Sequence, residues 1–299
     1  MSTSKSVAFI GLGVMGGPMA GHLARAGHRV YVYNRSPERV ERWNALWKSA
    51  GLDIIVKLSP GRAAQGVDIV FTCVGNDDDL IGVTMGDNGI LENMHAGGML
   101  VDHTTVSADL ARRLEKTCAA QNCQFLDAPV SGGQAGAENG QLAIMCGGSD
   151  EAMAKAEPVM QAYAKSIVHV GPAGAGQTVK MANQMCIAGI LGGLSEAIRL
   201  AQGAGLDLEK TYEAISGGAA QSWQMDNRWA TMTADTFDFG FAIDWMRKDL
   251  GYALDEAKRL GLSSPISALV DQFYADVQAQ GGGRHDTSAL ITRLPKSTS

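Results

Sequence analysis

The sequence has no long basic run and no stripe of interleaved aromatic and basic residues, and 25 Lys and Arg against 31 Asp and Glu leave a formal net charge of −6. It therefore lacks the electrostatic footprint of a phosphate-backbone reader, which argues against nucleic acid as a partner. Cysteine is also scarce. Cys73, Cys118, Cys123, Cys146 and Cys186 are odd in number and form no C-x-x-C pair. Neither a disulfide framework nor a zinc or other metal site is suggested, and a reducing cytoplasm fits best. No charge-free run approaches the ~18–20 apolar residues of a membrane span, and the opening "MSTSKSVAFIGLG" shows no small-residue cleavage site. The expectation is a soluble, untargeted, cytoplasmic protein without membrane partners.

What the chain does have is bulk: 299 residues, 45% of them apolar, suffice for two cores, since one core stops growing near ~250–300 residues. Strand-like runs at 7–10, 30–33, 53–56, 68–74, 99–105 and 124–130 alternate with helical patterns. Such alternation predicts an α/β fold, a parallel doubly wound sheet covered by helices. Two more strand candidates, 142–148 and 166–171, flank a helix predicted over about 150–165. After Gly174 the strand signals stop, and the pattern to about Gln280 is helical, broken by "GAGLD", "SGGAA" and "RLGLSSP". Two domains are thus expected, 1–172 with the sheet and 173–299 all helical, joined by a long helix. There is no internal repeat, and only the closing "PKSTS" reads as disordered.

Four motifs carry chemistry. In "VAFIGLGVMGGPMAGHLARAGH", Gly11, Gly13 and Gly16 form G-x-G-x-x-G between a strand and a helix. Tight turn, close backbone approach and helix–strand packing each require a missing side chain there, and a dinucleotide pyrophosphate would sit on the helix N-terminus. At the end of the second strand, where NAD(H) sites place a carboxylate, the chain offers Asn34 and Arg35. Asn34 can bond the ribose and Arg35 can pair with a 2′-phosphate, so NADP(H) is preferred, with NAD(H) usable; alone, Arg35 also fits a solvated loop arginine.

"DAPVSGGQAGAENG" ends a strand in Ser131, Gly132 and Gly133, whose exposed amides and hydroxyl suit a carboxylate or oxyanion; by itself it also fits a plain glycine turn. "GAGQTVKMANQ" opens a largely apolar helix in which Lys180, Asn183 and Gln184 share one face at i, i+3 and i+4. A lysine there must snorkel, pair or line a polar cavity. Surroundings of the last kind lower a lysine pKa towards neutrality, as a proton donor or acceptor near pH 7 requires. Lastly, "WMRKDL" carries Lys248 and Asp249, on their own a surface charge pair.

In this order the motifs resemble the β-hydroxyacid dehydrogenases, whose pattern is "GLGxMGxPMAxxLxxAGH", "DAPVSGGxxGAxxGxL", "GxGxxxKxxNN" and "KDL". The chain shows "GLGVMGGPMAGHLARAGH", "DAPVSGGQAGAENGQL", "GAGQTVKMANQ" and "RKDL" across nearly its whole length. The resemblance implies a Rossmann domain, a helical domain used for dimerisation into a homodimer or homotetramer, and an active site in the cleft between them. It makes Lys180 the catalytic lysine, Ser131, Gly132 and Gly133 the substrate carboxylate site, and Asn183 and Gln184 polar substrate contacts. Gly11, Leu12, Gly13, Val14, Met15, Gly16, Asn34, Arg35, Val74, Gly75, Thr105 and Lys248 would face the cofactor. Gln184 departs from a common second Asn, and "CVGND" from a common "MLPN". "KMANQ" and "DTSAL" look most similar to tartronate semialdehyde reductases. Three alternatives fit less well. A 6-phosphogluconate-type decarboxylating enzyme needs a longer helical region, imine reductases lack a lysine at this position, and a non-enzymatic dinucleotide reader has no use for one.

Overall fold

The structure, a computed structural model, describes residues 4–48 and 51–296; the disorder expected for 297–299 lies outside them. The chain divides into two compact units, Met1–Lys180 and Met181–Ser299.

The first unit is built on nine strands: β1 (Ser6–Ile10), β2 (Arg29–Tyr33), β3 (Ile54–Val56), β4 (Ile69–Thr72), β5 (Met99–Asp102), β6 (Gln124–Asp127), β7 (Val130–Ser131), β8 (Leu142–Gly148) and β9 (Ala164–Gly171). Between them run α1 (Gly16–Arg25), α2 (Pro37–Lys48), α3 (Pro60–Ala64), α4 (Asp77–Met85), α5 (Ile90–Asn93), α6 (Ala108–Ala120), α7 (Gly133–Glu138) and α8 (Asp150–Met160). The sheet order is β3-β2-β1-β4-β5-β6-β8-β7, with β9 on β8, and the first six strands in that order are parallel. The order reverses next to β1, the doubly wound arrangement with its switch point between β1 and β4.

Period-two alternation decides which face each strand residue serves. Val7, Phe9, Val30, Val32, Ile69, Phe71, Met99 and Val101 pack with Met19 and Leu23 of α1 and with Trp43 and Trp47 of α2. Ala8, Ile10, Val70, Leu100 and Phe125 pack on the opposite face with Leu110, Ala111 and Leu114 of α6. Both faces are dry, which explains why the strands read as nearly continuous apolar runs.

The parallel pairing expected from the sequence holds through β6, and beyond it the sheet becomes mixed. The run 124–130 breaks at Ala128–Pro129: β6 pairs parallel with β5, whereas β7 pairs antiparallel with β8. Proline has no N–H to continue the ladder, so the strand turns where Pro129 sits and Pro129 only accepts, from Met145 N at 3.1 Å. The run 99–105 also stops early, at Asp102, because its side chain takes the backbone N–H of Thr104 (3.1 Å) in place of a neighbouring strand.

A 29-residue helix, α9 (Ala175–Gly203), crosses the division between the units. Its first turns bond back to β6 and to the loop after β5, so they count with the sheet, in the unit that ends at Lys180. The second unit adds α10 (Leu208–Ser216), α11 (Trp223–Thr233), α12 (Ile243–Arg259) and α13 (Pro265–Ala279), with 3-10 turns at Gly282–Arg284 and Thr287–Arg293. Asp207 and Ser222 cap α10 and α11, and Pro265 opens α13, so the predicted breaks carry real caps. Its core gathers Leu191, Leu194, Ile198, Trp229, Met232, Ile243, Met246, Leu250, Val270 and Tyr274. Among the described residues no helix is long and apolar enough to cross a membrane.

Candidate active site

Between β1 and α1 the three glycines have different physical jobs. A Cβ on Gly11, held at φ +101°, would lie 2.2 Å from the carbonyl oxygen of Cys73, and one on Gly16 would lie 2.0 Å from that of Gly11. The protein's own packing therefore requires both. A Cβ on Gly13 would meet nothing within 4 Å. Its missing side chain leaves room for a group that is not part of the fold, and α1 begins without a side-chain cap or an acidic residue in its first turn. Orphan N–H groups and the positive end of the helix dipole fit a pyrophosphate there. Leu12 is buried, while Val14 is exposed and Met15 partly so.

Asn34 lies just beyond β2 and accepts a bond from Leu12 N (2.9 Å), so its amide braces the glycine loop. Arg35 beside it is 85% exposed and pairs with Asp79 in the first turn of α4 at 2.8 Å. A carboxylate thus stands next to the guanidinium expected to meet a 2′-phosphate.

The loops after β4 and β5 are stitched together by side chains. Val74 N donates to Thr104 Oγ1 (3.0 Å), and Thr72 Oγ1 donates to the buried Asp102 Oδ1 (2.7 Å). Gly75 and Thr105 follow, both half-buried. Gln177 reaches this loop from α9, donating to Thr104 O (2.7 Å) and accepting from Val106 N (3.1 Å). Asp127, at the end of β6, accepts from Gly174 N (2.7 Å) and Gln177 N (2.9 Å) and so caps α9. One turn on, Lys180 is buried and its Nζ donates to Val130 O at 2.9 Å. The next residues are Ser131, then Gly132 and Gly133 at φ +133° and +61°, both exposed. The structure therefore brings Lys180 beside the Ser-Gly-Gly turn that the sequence singled out.

In the second unit, Asn183 Nδ2 donates to Gln184 Oε1 (2.8 Å), and Gln184 Nε2 donates to Asp249 Oδ2 (2.7 Å). Asp249 also pairs with Lys248 at 3.0 Å. Gln184 is buried and already engaged at both ends of its amide, whereas Asn183 is partly exposed.

Two family models divide the chain: one described as the NAD binding domain of 6-phosphogluconate dehydrogenase matches residues 6–171, and one described as NAD-binding of NADP-dependent 3-hydroxyisobutyrate dehydrogenase matches 174–294. An oxidoreductase of Shewanella frigidimarina is 57% identical over 98% of this chain and 99% of its own. The 2-hydroxy-3-oxopropionate reductase of Escherichia coli is 35% identical over 96% of each. The chain belongs to the β-hydroxyacid dehydrogenase family. The solved structure of the Mycobacterium tuberculosis 3-hydroxyisobutyrate dehydrogenase with L-serine superposes with a TM-score of 0.87 at 29% identity, covering 98% of this chain and 99% of that one. As a member of this family the protein is an NAD(P)-dependent dehydrogenase that uses a nicotinamide dinucleotide.

Within this β-hydroxyacid dehydrogenase, burial shifts the acids that end β5 and β6. It pushes Asp102 up to about 7, against hydrogen bonds from Thr104 and Thr72 that favour the anion. One carboxyl oxygen of Asp102 is buried without a hydrogen-bond partner, which suits a protonated acid. Asp127, buried but bonded by two amides, rises only to about 6. His103 falls to about 4, walled in by stacking on Phe71. Its Nδ1 donates to Ala128 O (2.6 Å) and its Nε2 accepts from Tyr163 (2.8 Å), so it is a neutral core histidine and no proton shuttle.

Sequence reasoning singled out Lys180 and the turn but gave no role to Asp102, Thr104, Asp127, Gln177 or Asp249. A signal existed for Asp127. The segment "GPAGAG" before α9 holds no Ser, Thr, Asp or Asn to cap it. A buried helix start without a local cap must borrow one from elsewhere in the chain.

Asp102 and Asp127 both have folded-state pKa values raised above the ordinary 3.8. Their contribution to stability is full below about pH 4 and is lost as pH rises through about 6 to 7. Asp102→Asn stays neutral throughout. Its urea midpoint should therefore fall less between pH 5 and pH 8 than the parent's, and equal slopes would refute the assignment.

Proposed function

We propose that this dehydrogenase transfers a hydride between NADP(H) and a small β-hydroxyacid or its semialdehyde, with Lys180 as general acid and base. The observation that carries the reading is the bond from Lys180 Nζ to Val130 O, which sets an ammonium at the threshold of Ser131-Gly132-Gly133. The nicotinamide supplies or receives the hydride. Charge then develops on the substrate oxygen, and Lys180 delivers the proton in reduction or takes it up in oxidation. The Ser131 hydroxyl and the amides of Gly132 and Gly133 hold the substrate carboxylate, fixing the reacting carbon. Asn183 adds a polar contact, and Gln184, engaged with Asn183 and Asp249, steadies it.

Substrates of the 2-hydroxy-3-oxopropionate (tartronate semialdehyde) or 3-hydroxyisobutyrate type fit, since both pair a carboxylate with an oxygen on the β-carbon. L-serine, present with the related mycobacterial enzyme, is also a carboxylate with a β-hydroxyl. Gly11, Leu12, Gly13, Val14, Met15 and Gly16 would hold the pyrophosphate. Val74, Gly75 and Thr105 would lie along the cofactor, and Lys248 would add a cation to it. Arg35 favours the 2′-phosphate, while Asp79 offsets part of its charge, so NAD(H) remains usable.

Lys180→Ala should fold and bind NADPH, while turnover falls by ~10²–10⁴. Lys180→Arg should fare little better, since a guanidinium cannot give up its proton near pH 7. Turnover above about a tenth of the parent's in folded Lys180→Ala would sink the assignment. Arg35→Ala should weaken NADPH binding roughly tenfold with little effect on NADH, measured by fluorescence titration. Equal kinetics with both cofactors in the parent protein would count against the preference. Sedimentation should show a homodimer or homotetramer, because Ile190 of α9 and Ile266 and Leu269 of α13 are exposed apolar residues of one unit. A monomer at micromolar concentration would contradict this.

A further inference from the structure

From α9, Gln177 reaches the loop between β5 and α6 with both ends of its amide. It is fully buried, and its geometry leaves no choice of orientation. Thr104 O can only accept and Val106 N can only donate, so Nε2 faces the first and Oε1 the second. The backbone N–H of Gln177 is fixed independently by Asp127 Oδ2. Thr104 in turn receives Val74 N on its hydroxyl. A hydrogen-bonded path thus runs from the loop after β4, through Thr104, into the first turn of α9, and Lys180 lies three residues further along that helix.

We infer that Gln177 is a positioning residue for the reaction: its amide locks the first turn of α9 to residues 104–106 and so fixes where Lys180 presents its ammonium. This rests on the reading of Lys180 as acid and base. The physical argument is one of precision. Lys180 has four rotatable side-chain bonds and bonds Val130 O at its far end, so its aim also depends on the placement of its own Cα. Helix capping by Asp127 fixes the height of that turn above the sheet. The Gln177 side chain ties its rotation about the helix axis to the loop that carries Thr105.

The test uses two substitutions in the full chain, with Lys180→Ala measured beside them. Gln177→Met keeps volume but removes both bonds. Its kcat should fall roughly tenfold or more, while KM for NADPH stays within about twofold, the split expected when a group acting in the chemical step is misplaced. Gln177→Glu is the discriminating variant, because a carboxyl can donate to Thr104 O only when protonated. Near it, Asp127 from β6 bonds its backbone N–H, Glu115 from α6 acts on Asp127, Arg112 from α6 lies against Gly174, and Lys180 follows three residues on. The kcat of Gln177→Glu relative to the parent should be highest near pH 6 and fall at least about fivefold by pH 9. Circular dichroism at pH 6 and pH 9 separates that profile from unfolding driven by the ionised buried carboxyl. Folded Gln177→Met with more than half of the parent kcat, or a Gln177→Glu ratio that does not change with pH, overturns the inference. If Lys180→Ala is inactive in that case, positioning alone has failed; if Lys180→Ala remains active, the reading beneath it has failed.

Discussion

Asp127 holds the start of α9 with both carboxyl oxygens, one on Gly174 N and one on Gln177 N, and the placement of Lys180 depends on that cap. The arrangement is costly, since an ionised carboxylate taken out of water must recover its hydration. Here two charge-assisted bonds and the positive end of a 29-residue helix offset the loss. The balance is close. Burial wins by enough to lift Asp127 to about 6, whereas Asp102, bonded through one oxygen only, rises to about 7. Two acids one strand apart, Asp102 and Asp127 being register partners, can coexist because one of them is readily protonated.

The sheet explains why such a cap can sit at that spot. Parallel strands covered on both faces end together along one edge, and the loops that leave this edge are free to take polar residues. Thr72, Asp102 and Asp127 end β4, β5 and β6 in turn, so the edge carries a row of polar side chains under the loops. Hydrophobic alternation supplies the scaffold, and the residue that stops each strand supplies the site.

What could be read from the sequence follows from how local each determinant is. The glycine fingerprint and the "KxxN" face lie within single elements, so spacing alone exposes them. Strand positions in the parallel half were legible because both faces are apolar; the antiparallel turn of β8 was not, because it depends on Pro129 breaking a run that otherwise reads as continuous. The cap on α9 spans 47 residues from Asp127 to Gly174, and the Gln177 bridge spans 73 residues to Thr104. No periodicity reports a contact of that range. The same distant bonds, and not a change in composition, hold the first turns of α9 to the sheet.

The same distinction separates the two cations the sequence brought forward. Arg35 is exposed, with only its partner Asp79 less than a third exposed, so solvent and salt screen that pair. Lys180 is buried on a carbonyl anchor, in the helix whose start a largely buried carboxylate holds. In a low dielectric each of those contacts matters more than it would in water. The fold therefore tolerates variation at the exposed Arg35 but constrains Lys180 through the residues that fix the start of α9.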